Sequence, residues 1–111
     1  MQIYFEDAKL QKLCNSGREM VKKLGKEPAG RLVVRLAQLE AAENAADLDK
    51  LPGRWHPLAA DRAGQMSGDL KHPERLIIEP LEPDDVRTDD GGIDWAKVTA
   101  VVVVAIANTH D

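Results

Sequence analysis

Apolar residues recur three and four apart in the first half of the chain and alternate or run together in the second, which predicts a helical half followed by strands. Gln2 to Glu6, with Ile3, Tyr4 and Phe5, reads as a first strand. Asp7 can cap a helix whose apolar positions, Leu10, Leu13, Cys14, Val21 and Leu24, follow at helical spacing. Gly25 stands where a helix C-terminus favours a residue tolerant of positive φ. Pro28 suits the first turn of a second helix with the stripe Leu32, Val33, Leu36 and Leu39. The alanine-rich segment Ala41 to Leu48 extends that helix, and Pro52-Gly53 ends it.

Trp55 to Ala60 and Gln65 to Leu70 predict the next two strands, with Asp61 and Gly64 as first and last residues of a type I turn. Pro57 belongs at a strand start or on an edge because it lacks a donor for the ladder. His72-Pro73 makes a tight connection into a strand from Arg75 to Glu79. Pro80 to Gly92 then reads as a long acidic loop. Asp94 to Lys97 predicts one helical turn, and Val98 to Ile106 a central strand buried on both faces. The order is one strand, two helices and four further strands. It implies a single α+β domain over residues 1–111, with two antiparallel helices on one face of a mainly antiparallel sheet and the other face open to a ligand.

Composition fits that picture. A hydrophobic content of 43% with 31% charged residues is that of a folded globular domain, and 111 residues suffice for one modest core. The single cysteine, Cys14, excludes an internal disulfide and suits a reducing compartment. Met1 to Glu6 lacks a basic region followed by an apolar stretch, and the run from Val98 to Ala107 is too short to cross a bilayer. A cytoplasmic protein with no membrane partner is the expectation. The net charge of −4 is uneven: eight basic residues face four acids up to Arg35, whereas seven acids lie between Glu79 and Asp94. A basic half can face a phosphate backbone, although solvated faces account for most such runs.

The chemistry-bearing residues gather in the strand half. Two of the three histidines, His56 and His72, accompany Arg62, Lys71 and Arg75. Histidine can move protons because its ordinary pKa of about 6.5 lies near working pH. Arginine matches phosphate with a planar, permanently charged fork. Three motifs carry a family likeness: His56-Pro57-Leu58 through Asp61-Arg62-Ala63-Gly64; Lys71-His72-Pro73-Glu74-Arg75-Leu76 with Glu79-Pro80 behind it; and Gly91-Gly92-Ile93-Asp94-Trp95 with Lys97-Val98-Thr99. Together they resemble the killer-protein branch of the RelE/HigB superfamily, toxins of bacterial toxin–antitoxin pairs. The likeness spans nearly the whole chain.

That resemblance implies a RelE-like fold and a ribosome-dependent endoribonuclease that cuts mRNA with neither metal nor cofactor. It implies His56, His110 and Arg75 as catalytic residues, with Arg62 and Lys71 on the substrate phosphate. A helix-turn-helix antitoxin is the implied partner. Three departures from the family pattern stand beside it. Ala59-Ala60 replaces a lysine and a glycine, Gln65-Met66 stands where an aromatic is common, and Asn108-Thr109-His110 replaces Asp-Tyr-His. They keep open an alternative, a catalytically degenerate binding module that retains its antitoxin or ribosome surface. Gyrase-poisoning relatives share the fold but lack the clustered site. His72 is expected to shape its turn, and Trp55 and Trp95 to cover the edge of the core.

Overall fold

Asp7 and Ser16 each start a helix, so the single first helix expected from periodicity is two. The computed structural model describes residues 1–108. After β1 (Gln2–Phe5), Asp7 accepts from the Leu10 N–H at 2.8 Å and opens α1 (Ala8–Cys14). Ser16 Oγ accepts from the Glu19 N–H at 3.2 Å and opens α2 (Gly17–Leu24). Ser16-Gly17-Arg18-Glu19 has the Ser-x-x-Glu pattern of a capping box, a local signal that outweighs the apolar spacing running through it. Gly25, at φ 92°, ends α2 and leads directly into α3 (Lys26–Ala41).

The buried stripe of α3 is Ala29, Leu32, Arg35 and Leu39, whereas Val33 is about half exposed. The expected stripe was therefore rotated by roughly one position, because a charged residue fills an inward site. The alanine-rich segment does not prolong the helix. Ala42 turns extended, Asn44 caps a separate 3-10 turn (Ala45–Lys50), and the Ala45 N–H donates to the Val98 carbonyl at 3.0 Å. Ala45 and Leu48 are fully buried there, so tertiary packing and a long-range hydrogen bond override alanine's helix preference.

The sheet runs β1-β5-β4-β3-β2, with β2 (His56–Pro57), β3 (Met66–Asp69), β4 (Glu74–Pro80) and β5 (Ala100–Asn108). Among the described residues only the β1–β5 pair is parallel. This is the α+β architecture expected, with one N-terminal strand and four others. β2 is shorter than predicted, since Pro57 supplies no ladder donor, and a 3-10 turn (Ala60–Arg62) takes the place of the type I turn. The acidic loop carries short order of its own: a 3-10 turn (Pro83–Val86) and a bridge between Arg87 and Ile93. Asp94 caps the predicted turn, Trp95–Lys97.

β5 buries Val101 and Val103 fully, while Val102 and Val104 are half-buried, so β5 is sealed on the helix side alone. On the other face Ser67 and Ile77 are fully buried at the centre, and only the residues around them are accessible. The β4–β5 register shifts between Ile77 and Ile78, paired with Ala105 and Val103, leaving Val104 as the extra residue of a bulge. The bulge returns Ile106 to the core face and sets Ala105 and Ala107 on the other, opposite Ile77 and Arg75. The helices pack on the core face over Met66, Leu76, Ile78, Val101 and Val103. No helix among the described residues is long and apolar enough to cross a membrane.

Cys14 closes this core at the end of α1, and burial pushes its thiol up to about 11. At pH 8 so high a value leaves little thiolate, the reactive form. Iodoacetamide should therefore modify the folded protein more slowly than urea-unfolded chain, by well over roughly tenfold. Equal rates would mean that the thiol is open to solvent.

Candidate functional site on the open face of the sheet

Strand register decides which side chains meet on the face away from the helices. His56 pairs with Ser67, Ser67 with Ile77, and Ile77 with Ala105. Two residues further along, Asp69 pairs with Arg75 and Arg75 with Ala107. Since side chains two apart share a face, His56, Ser67, Asp69, Arg75 and Glu79 belong to one surface. Strand spacing and rise place the Cα atoms of His56 and Arg75 about 12 Å apart, close enough for their side chains to address one phosphodiester.

Asp69 is the hub of this surface. Its carboxylate lies 3.2 Å from Arg75 Nε and 3.8 Å from Arg54 Nε. Its N–H donates to the Gly53 carbonyl at 2.7 Å, and its carbonyl accepts from Arg35 Nε at 2.7 Å. Burial lowers the pKa of the Arg35 guanidinium, and Asp69 opposes that shift. The arginines line a cleft of about 310 Å³ together with Asp69, His72 and Glu74. His56 Nδ1 donates to the Arg54 carbonyl at 2.7 Å. Ser67 Oγ is buried with no hydrogen-bond partner among the described residues.

Two of the five residues expected from sequence meet. His56 and Arg75 share the open face. Arg62 lies toward the other end of the sheet, donating to Gln65 Oε1 at 3.1 Å, and Gln65 in turn donates to Glu79. Lys71 turns toward α3, where its Nζ is 2.9 Å from Glu27 Oε2. The Lys71 hydrogen bond and charge, helped by Arg31, hold the Glu27 carboxyl below the usual carboxylate range. His110 lies outside the described residues.

Arg35, Arg54 and Asp69 were missed. The signal for Arg35 was a charge set three after Leu32 and four before Leu39, inside an apolar stripe. Met66, which stands where the family often has an aromatic, is 3% exposed and packs in the core, so it offers no stacking surface on the open face. Trp55 is fully core: its ring lies against Gly68 and its Nε1 donates to Gln38 Oε1 at 2.9 Å.

The arrangement thus combines a tautomer-directed histidine, an arginine held on a carboxylate and a basic cleft on an α+β sheet. No protein-family model and no curated protein matches the chain by sequence. A solved structure does match: the YoeB/ParE toxin from Agrobacterium tumefaciens, with a TM-score of 0.57 and 12% identity, over 99% of this chain and 100% of that one. The chain therefore has the fold of a toxin–antitoxin toxin of this type.

Proposed function

We propose that the chain is the toxin of a toxin–antitoxin pair and that its open face cleaves RNA, in the manner of the RelE/HigB toxins its motifs resemble. The observation that carries the reading is the placement of His56 and Arg75 on one face, two strands apart, beneath a fold shared with a toxin. In this reading His56 Nε2 takes the proton of the ribose 2′-hydroxyl, which attacks the adjacent phosphorus. Arg75 stabilises the charge growing on the phosphoryl oxygens. His110 is the acid that protonates the departing 5′-oxygen, as the resemblance implies. Arg62, bonded to Gln65, and Lys71, paired with Glu27, are assigned to the substrate phosphate, as the resemblance implies. The proposed partners are an antitoxin carrying a helix-turn-helix domain, the ribosome and mRNA, in the cytoplasm.

Inducing the chain without antitoxin should arrest growth and cut ribosome-bound mRNA, and His56→Ala should relieve both. Normal growth with intact mRNA, from a folded wild-type protein, would transfer the reading to a degenerate binding module. Two observations favour that second reading. Gln65 and Met66 bring no aromatic ring to the open face, and Ala59 brings no cation.

A further inference from the structure

We infer that Arg54 is a positioning residue for His56: its left-handed backbone presents a carbonyl that keeps the proton on Nδ1 and leaves Nε2 as the acceptor. The inference rests on the reading of His56 as the base. Arg54 has φ 54°, a region costly for a residue with a Cβ, and it follows Gly53 at φ 115°.

The loop is fixed on both sides of Arg54. Gln38 Nε2 donates to the Pro52 carbonyl at 2.8 Å, and the Asp69 N–H donates to the Gly53 carbonyl at 2.7 Å. A Cβ on Gly53 would lie 2.4 Å from Arg35 Nε, so the chain passes directly against the buried arginine of α3. On the other side Trp55 is anchored in the core through Gln38. Between these anchors Arg54 turns left-handed, and its carbonyl meets His56 Nδ1 at 2.7 Å.

A carbonyl only accepts, so Nδ1 must carry a proton, and in the neutral ring the lone pair is on Nε2. That is the reverse of the tautomer an unconstrained imidazole favours in water. The Arg54 side chain does not explain the backbone turn. It is 81% exposed, and among the described residues its guanidinium makes only the 3.8 Å contact to Asp69. The device begins with Arg35 and Gln38 on α3, passes through the loop, and ends at the ring that moves the proton.

Nitrogen NMR of the isotopically labelled histidines at mildly alkaline pH reads the tautomer directly, with His56→Gln assigning the signal. The wild-type protein should show His56 protonated at Nδ1 and bare at Nε2. Arg54→Gly, which accepts positive φ, should keep that pattern. Arg54→Val, whose branched side chain resists it, should lose the pattern and cut RNA about tenfold to a hundredfold more slowly at a similar unfolding temperature. A wild-type His56 protonated at Nε2 would overturn the inference. So would a folded Arg54→Val with the wild-type pattern or, where that variant does not fold, an Arg54→Gly that has lost it. The expected tautomer in a protein that cuts no RNA would remove the nuclease reading while leaving the role of Arg54 in place.

Discussion

Arg75→Ala is expected to lower RNA cleavage about a hundredfold to a thousandfold, the loss typical of removing one preorganised donor from developing charge. In cells the same variant should abolish growth arrest. Arg75 is well placed for such an effect because its side chain is only 16% exposed and is already oriented by Asp69. Little reorganisation is then needed as the phosphate becomes more negative. Removing it also leaves Asp69 without its nearer cation, at about 1–2 kcal/mol for a partly buried pair whose carboxylate keeps Arg54 nearby. Thermal unfolding on the same sample separates the two effects, since that cost leaves the domain folded at growth temperature. Arg75→Lys keeps the charge but not the fork, and should recover part of the rate. Full cleavage by a folded Arg75→Ala would remove Arg75 from the site.

The second large effect concerns stability. Gly68→Ala should destabilise the domain by about 2–3 kcal/mol, or roughly 10–20 °C in unfolding temperature. Gly68 sits in the middle of β3, and a Cβ there would come within 2.8 Å of Trp55 Cε2 and 2.9 Å of Cδ2 and Cε3. The indole cannot easily retreat, because it is 3% exposed and tethered to Gln38 through Nε1. Displacing the ring would also disturb the loop that orients His56, so cleavage should fall in the fraction that remains folded. An unchanged unfolding temperature would show that the ring has space the packing does not reveal.

Element types were readable because they depend on neighbours in the chain. Asp7 capping, the glycine at the end of α2, the β-branched run of β5 and the Asp94 turn are all local preferences, and each forms where the pattern placed it except β5, which is shifted by two residues. The break at Ser16 was also local and readable, but the continuing apolar spacing obscured it. His56 and Arg75 stood out only through the motifs that carry the family likeness, because alone a histidine can bond within a sheet and an arginine can pair with a nearby carboxylate, as Arg75 does with Asp69.

What the pattern could not convey is which distant groups meet. Arg35 and Asp69 are thirty-four positions apart, and only the packing of α3 on the sheet makes one the donor to the other's carbonyl. The same packing draws Lys71 to Glu27, turns Met66 into the core and stops α3 at Ala41, where the next segment bonds to Val98. Residue type and period are properties of the sequence, and they specify the helices, the strands and the chemistry available. Strand register, the bulge at Val104 and long-range hydrogen bonds are properties of the folded whole. They select which of those residues share a face, because each depends on surfaces that exist only once the layers have packed.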